Sequence, residues 1–582
     1  MLNTNLVTLK LNGSQKSSLP SSTVVQNPAP AKNDKGNNSN LLSDFLKNQA
    51  MINSAVVTKT AQTNAVEPKK KKMLYTNDLR TLFRHCDAKI LAIIPRIFNA
   101  KDMNGNDYID GDEEWGTFKN AIERLDEVKN DGYNCLHVLP VNTPGKKQAM
   151  GTAGSVYAPL DLLEIDPMLA DPSDPRPAWE QFKDFINECH KRDIKVMLDV
   201  PSCASTEMFD AHPEWMAIDN GMAKTPQGWN DIRMFQPWED ESKRTLNPKL
   251  LELYKKFVDM CIDLGVDGIR ADVSRAKPVE FWDIIIKYSR QRDPEFAWLA
   301  ESYTNEDASP MVNMPADRPE DDLRCGFDAF YGQFHLYNEW KTAGEFIDYL
   351  KEILDLSYRV DHGKSLIASF ASHDDLSPMF HGGADFCKMI MGLEATIPMT
   401  NMYSVDGFQT GDYYLRKYAN TDNPVTMTDK HKMEVHYGKL DLFNLSRKPG
   451  GDDETIRTFV QDAHALRDKY SEVVGPKGTF IELDKEGDID DQIVTFARHY
   501  QDKTLLVVAN KNVNKNVACR IKIPTLKQGQ KLQNLLPSYG AESMFQATNG
   551  VLRANVGASR IHVFEIDTPN IEKYTDKVYQ QH

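Results

Sequence analysis

The chain has 582 residues, 41% of them hydrophobic, 26% charged and 9% aromatic, a balance that excludes a collagen-like fibre and wholesale disorder. A formal charge of −15 argues against nucleic acid as a partner, and no apolar run approaches the about 18–20 residues of a membrane span. Met1–Lys16 lacks the charged-then-apolar pattern of an export signal, and the eight cysteines contain no Cys-x-x-Cys pair, so reduced thiols in a cytoplasmic protein are expected rather than disulfides or a zinc site.

The charge is unevenly spread. Residues 1–74 hold ten lysines and three acids, a net of +7 against the total of −15, so the remainder carries −22. With Phe45 as its one aromatic residue, this segment cannot bury enough apolar surface to offset the entropy of ordering it. It reads as a disordered basic tail. The Lys69–Lys72 run reads as a solvated linker, with an interaction patch as the alternative.

From Tyr75 the texture changes to short β-type runs alternating with amphipathic stretches. Lys89–Phe98 reads as a strand, Trp115–Asn130 as a helix, Asn134–Val141 as a strand and Trp179–Lys191 as a helix. Lys195–Val200 follows as a strand, then the polar stretch Pro201–Asn247, too long for a simple loop and expected as an insertion. Leu250–Leu264, Pro278–Arg290, Phe346–Leu354 and Asp453–Val473 read as helices. Val266–Asp272, Ala297–Glu301 and Ser365–Ala371 read as strands. Repeated β-then-α units imply a parallel sheet with right-handed crossovers, and about eight units close naturally into a (β/α)8 TIM barrel over residues 75–475. After about Gly478, Gln492–His499, Thr504–Asn510, Ala518–Ile523 and Arg560–Ile566 alternate apolar and polar residues. They predict a C-terminal antiparallel β-sandwich over residues 476–568, followed by a tail over 569–582.

In such a barrel, functional side chains project from the C-terminal ends of the strands. Three predicted strand ends carry carboxylates: Asp272 in Gly268-Ile269-Arg270-Ala271-Asp272, Glu301 after Leu299-Ala300, and Asp374 in Ser372-His373-Asp374-Asp375. Singly, each is as readily a helix cap or half of an ion pair. Together, two carboxyls across a sugar acetal have a use: one attacks the oxocarbenium-like centre and the other protonates the departing oxygen. Arg270 precedes Asp272 by two residues, so both side chains share one face of the strand. A cation there is expected to hold the pKa of Asp272 low, with Asp374 as the neighbour that keeps an acid protonated.

These residues resemble the α-amylase superfamily of retaining glycoside hydrolases and transglycosidases, whose fourth-strand Gly-x-Arg-x-Asp, fifth-strand Glu and seventh-strand His-Asp are matched by Gly268/Arg270/Asp272, Glu301 and His373/Asp374. The resemblance implies Asp272 as nucleophile, Glu301 as general acid/base and Asp374 as a stabiliser, with Arg270 and His373 in support. Pro95–Phe98, Gly116–Phe118 and Leu139–Val141 look like the family's first two βα units. Ser155–Asp161 resembles its Ser-Pro-Tyr segment, which implies Tyr157 as a stacking platform for the sugar. In the third-strand motif Asp199 is kept, but Cys203 and Ala204 replace the usual Asn-His pair, and Ser372 replaces an Asn before His373. A branch that also lacks that pair, the maltosyltransferases that use maltose 1-phosphate, is similar at His212–Trp215, Gly228–Ile232 and Lys277–Trp282. The seventh-strand His-Asp is that of ordinary hydrolases.

Asp102-Met103-Asn104-Gly105-Asn106-Asp107-Tyr108-Ile109-Asp110 places oxygen donors at every second position, a spacing that suits a hard cation and equally a solvated cluster of Asx turns. The family resemblance implies a structural Ca²⁺ held by Asp102, Asn104, Asn106, the Tyr108 carbonyl and Asp110. Trp215, Trp229 and Trp238 lie in the insertion, a candidate substrate-binding lid, although core packing serves each equally well. The sequence therefore predicts a retaining hydrolase of α-glucan or maltooligosaccharides. Maltosyl transfer from maltose 1-phosphate and a catalytically degenerate carbohydrate-binding barrel are the alternatives.

Overall fold

The computed structural model describes residues 75–101, 103, 113–149, 154–226, 231–304, 314–375, 377–412, 454–536 and 544–582. The predicted basic tail and the predicted Ca²⁺ ligands Asp102, Asn104, Asn106, Tyr108 and Asp110 lie outside them, as do Trp229 and Gly228–Asn230.

Eight parallel strands close a barrel in sequence order: β1 (Lys89–Ile93), β2 (Cys135–Val138), β3 (Lys195–Val200), β4 (Gly268–Ala271), β5 (Ala297–Ala300), β6 (Ala329–Phe330), β7 (Ser365–Ile367) and β8 (Thr400–Val405). The main outer helices are α1 (Ala178–Lys191), α2 (Pro248–Leu264), α3 (Val279–Arg292), α4 (Ala343–Ser357), α5 (Met379–Glu394) and α6 (Glu454–Lys469). They bury one apolar face each, as Phe182, Phe185 and Ile186 do on α1 and Tyr254, Phe257 and Val258 on α2. A Thr342–Glu345 capping box starts α4, and Gly265, in the left-handed region, ends α2.

Period-2 alternation divides the strand residues between two cores. Leu91, Leu136, Leu198, Ile269 and Trp298 join the outer cluster under the helices. Ile90, Cys135, Met197, Leu299, Ala329 and Tyr403 fill the barrel interior, which Leu79 and Phe83 of the helix Leu79–His85 plug from below. Gly268 belongs to this inner set: a Cβ there would stand 2.8 Å from the Ala297 carbonyl oxygen and 3.1 Å from Leu79.

Several elements differ from the sequence reading. The first strand ends at Ile93, and Pro95–Phe98 turns into a short helix with Pro95 at its first position, where the missing N–H costs nothing. Trp115–Asn130 divides into Phe118–Ile122 and Leu125–Asn130. Two strands, β6 and β8, and helix α5 escaped the sequence reading. β6 is two residues long, and β8 carries Asn401 and Ser404 in an interior where they are hydrogen-bonded or covered. The insertion is built of two-stranded ladders, Cys203–Ala204 on Arg233–Met234, Ile218–Asp219 on Met222–Ala223, and Trp238–Asp240 on Thr245–Leu246.

Beyond α6, β9 (Thr479–Glu482), β10 (Ile493–Tyr500), β11 (Lys503–Asn510), β12 (Val517–Lys522), β13 (Met544–Thr548), β14 (Val551–Val556) and β15 (Ile561–Ile566) form two antiparallel sheets. Ile481, Leu506 and Val508 of one sheet pack on Ile521, Leu552 and Val556 of the other. The terminal segment expected as a tail adds a strand instead: β16 (Val578–Tyr579) pairs with β9, and Gln581 Nε2 donates to the Lys364 carbonyl at 3.0 Å.

Candidate active site

The same alternation that fills the barrel places its polar residues. Two positions beyond Met197, Gly268 and Leu299, the inward side chains become Asp199, Arg270 and Glu301, and Asp272 follows Arg270 on that face. Arg270 stands level with Asp199 on β3 and Leu299 on β5. From this position its guanidinium ties three carboxyls together. Nη1 donates to both Asp199 oxygens at 3.0 Å and to Asp272 Oδ1 at 3.0 Å, and Nη2 lies 2.9 Å from Glu301 Oε2. Arg270 is fully buried, and its charge is attracted to the Tyr331 ring face, 5.3 Å from the ring centroid.

Asp199 is wholly buried. Burial alone would raise its pKa, but Arg270 and His137 outweigh burial and hold it below the ordinary value. Its Oδ2 accepts the Tyr157 hydroxyl at 2.7 Å and lies 3.3 Å from His137 Nε2. Tyr157 OH also lies 2.8 Å from His373 Nε2, which is 3.3 Å from Asp374 Oδ2. The strand β7 stops at Ile367, so His373 and Asp374 stand on the following loop rather than on a strand end. The Asp374 side chain is 36% exposed, the most open of the three predicted carboxylates.

Asp272 corrects one expectation. Burial raises its pKa, Arg270 opposes that, and the Glu301 and Asp199 carboxylates add to it, so the net shift is upward, to about 8. One cation shared among three carboxyls does not hold Asp272 low. Its Oδ2 accepts the Ser202 backbone N–H at 3.1 Å. Glu301 Oε2 accepts the Val273 backbone N–H at 2.7 Å, and Tyr303 OH donates to Oε1 at 3.2 Å. Val273 holds φ at 38°, a left-handed value that a β-branched residue rarely adopts, in the link between the two carboxyls.

The structure thus brings together Tyr157, Asp199, Arg270, Asp272, Glu301, His373 and Asp374. It adds His137, Ser202, Tyr303 and Tyr331, which the sequence reading did not single out, and Lys277, which that reading named only as the start of the string Lys277–Trp282. His137 was legible in principle, as a lone histidine two positions past Cys135 on the inward face of a strand. Cys203, in the place of the family's Asn, is buried in the ladder with Met234 and its thiol is pushed up to about 12. Of the insertion's tryptophans, Trp215 is stacked on His212 at 3.9 Å and Trp238 faces the Arg244 guanidinium at 5.5 Å. No cluster of metal-ligating side chains occurs among the described residues, and no helix among them is long and apolar enough to cross a membrane.

The barrel and the appended β-sandwich fit the α-amylase superfamily that the sequence resembles, and comparison with known proteins agrees. No protein-family profile matches the chain. Among curated proteins it is similar to the alpha-1,4-glucan:maltose-1-phosphate maltosyltransferase of Picrophilus torridus, at 22% identity over 422 residues, 68% of this chain and 58% of that protein. The enzyme of that name from Salinibacter ruber is 25% identical over 511 residues, 81% of this chain and 68% of that one. The chain spans about half the length of the first curated relatives it matches. Among solved structures, the maltogenic alpha-amylase AmyB from Thermotoga neapolitana superposes with a TM-score of 0.61 at 18% identity, covering 83% of this chain and 99% of that one. The debranching enzyme from Nostoc punctiforme gives 0.57 at 16% identity, covering 82% and 98%. The fold and the sequence likeness are therefore those of the α-amylase superfamily. Within it, the likeness in sequence runs to the maltosyltransferases and the likeness in fold to amylases and debranching enzymes.

Proposed function

We propose that the chain is an α-glucan-active enzyme that breaks α-glucosidic bonds with retention of configuration, through a covalent glycosyl–Asp272 intermediate. The observation that carries this reading is the sharing of one guanidinium by Asp272 and Glu301 on adjacent strands, at 3.0 and 2.9 Å. A retaining pair needs a separation of about 5–5.5 Å, whereas an inverting pair leaves about 6.5–9.5 Å for a water. Two carboxyls drawn to one guanidinium favour the shorter spacing. Glu301 protonates the departing oxygen as Asp272 attacks the anomeric carbon, then takes the proton of the incoming acceptor hydroxyl. Asp374, the more open carboxylate, serves the sugar hydroxyls, and Tyr157, whose hydroxyl bonds Asp199 and whose ring is stacked 5.9 Å from that of His373, offers the platform on which the sugar rests.

Hydrolysis of α-glucan or maltooligosaccharides is the primary reading, supported by the His373-Asp374 pair that the sequence shares with ordinary hydrolases of the superfamily it resembles. Maltosyl transfer from maltose 1-phosphate is the second, favoured by the names of the curated relatives. A maltooligosaccharide ladder, incubated alone and then with maltose 1-phosphate and glycogen, separates them. Shortened oligosaccharides without phosphate release support hydrolysis, whereas phosphate release with glucan extension supports transfer. A wild-type chain as inert as D272N on every donor defeats both and leaves a carbohydrate-binding barrel.

A further inference from the structure

Lys277 lies five residues past Asp272, between the 3₁₀ turn Ser274–Ala276 and α3, and is 1% exposed. A lysine is almost never buried so completely without a compensating partner. Here the ammonium faces three aromatic rings, with Nζ 4.8 Å from the centroid of Tyr254, 5.2 Å from Phe235 and 5.8 Å from Trp282. The rings come from α2, the insertion and α3, so the cage closes only when these three pieces assemble. Two of them are themselves tied to the site's backbone: Tyr254 OH donates to the Pro201 carbonyl at 3.0 Å, and Trp282 Nε1 to the Ser274 carbonyl at 2.7 Å. Among the described residues no carboxylate comes within ion-pairing distance of Nζ. Its hydrogen bond goes to a peptide, the Ser202 carbonyl at 3.3 Å.

Ser202 is the residue whose other groups hold Asp272. Its N–H donates to Asp272 Oδ2 at 3.1 Å, and its hydroxyl donates to the Asp272 main-chain carbonyl. The turn after β3 is also where the chain departs from the family's Asn-His pair.

We propose that Lys277 is a positioning residue for Asp272: its caged ammonium fixes the Ser202 peptide so that the N–H meets the Asp272 carboxylate, and its charge favours the ionised form of that carboxyl. The titratable groups that face the amine are Cys203 and Asp272. Burial brings the amine down to about 8, so it carries its charge through neutral pH. The role as support for a nucleophile rests on the proposed function, but the effect on the carboxyl does not.

The test reads the carboxyl directly. The full chain is labelled with ¹³C at aspartate carboxyls, the Asp272 resonance is assigned by its loss in D272N, and its titration is followed in wild type and in K277M. The midpoint is expected to rise in K277M by about 0.5–1 pH unit. On a donor that the wild type turns over, kcat is expected to fall about tenfold with KM within about twofold, the pattern of a lost transition-state interaction. A midpoint that stays in place overturns the proposal. Should K277M not fold, K277Q, which restores a donor for the Ser202 carbonyl without the charge, is read by the same criterion. Failure of both to fold makes Lys277 a stability residue and overturns it as well. A folded chain inert on every glucan defeats the proposed function, while the titration still decides the role of Lys277.

Discussion

His137 and Asp199 meet inside the barrel, Nε2 to Oδ2 at 3.3 Å, while His137 Nδ1 lies 3.0 Å from Tyr403 OH. Burial pulls the imidazole below its ordinary pKa, so it is neutral at pH 7 and has one N–H to give. A carboxylate only accepts, which assigns that proton to Nε2 and leaves Nδ1 to accept the Tyr403 hydroxyl. H137F keeps a ring in the space but removes a donor from a buried carboxylate. It is expected to destabilise the fold by about 1–3 kcal/mol, read by denaturant unfolding, and H137Q to recover part of that loss. Unfolding unchanged to within about 0.5 kcal/mol would show the pair to be without consequence.

Asp272 carries the opposite balance. With its folded pKa raised to about 8, above its ordinary value, the carboxyl's share of stability is fully present below the ordinary carboxylate range. That share is lost as pH rises through the folded value. D272N removes the charge at all pH values, so above pH 8 it is expected to melt about a degree or two higher than wild type, with the gap closing toward pH 4. The same variant is expected to lose turnover by at least about 10³-fold. Equal melting temperatures across that range would refute the cost assigned to the buried charge.

The pH dependence of turnover follows from the same shift. Attack requires the ionised carboxylate, so kcat/KM for the free protein is expected to climb on a limb displaced upward from the ordinary carboxylate range. A limb near pH 4 would mean that Arg270 dominates Asp272 after all.

Arg270 shows how much of this site was legible in the sequence. The period-2 step from Gly268 to Arg270 to Asp272 put the cation and the carboxyl on one face, and the barrel bears that placement out. What a one-dimensional pattern does not carry is the number of carboxyls the cation serves. Asp199 and Glu301 come from other strands, and their added negative potential reverses the expected shift of Asp272. β6 was invisible for a related reason: two residues carry no periodicity, and its inward Ala329, with Tyr331 just beyond the strand, gains meaning only beside β5 and β7. Lys277 entered the sequence reading only as the start of the string Lys277–Trp282, because two of the three rings of its cage, Phe235 and Tyr254, lie far from it in sequence.

R270K keeps the charge but not the fork. A lysine offers one nitrogen, so it cannot bond Asp199, Asp272 and Glu301 from two directions at once. Turnover is expected to fall on the order of 100-fold with the fold retained. Near wild-type kcat in R270K would assign the guanidinium a purely electrostatic part.

The proposed Ca²⁺ loop is open to a separate check, because the chain around it is described even though the ligands are not. Lys101 and Glu114 form an antiparallel bridge, with the Lys101 N–H donating to the Glu114 carbonyl at 2.7 Å, and Glu113 Oε1 accepts the Met103 N–H at 2.7 Å. The bridge holds the two ends of the donor-rich stretch together, which lowers the entropy that oxygen ligands lose on gathering around an ion. A ligand that binds the folded state alone stabilises it by mass action, about 2.7 kcal/mol at a hundredfold excess over Kd. Chelator treatment is therefore expected to lower the melting temperature and added Ca²⁺ to restore it, with the response abolished in D102A/D110A. A melting temperature indifferent to chelator and to Ca²⁺ would reduce the stretch to solvated turns.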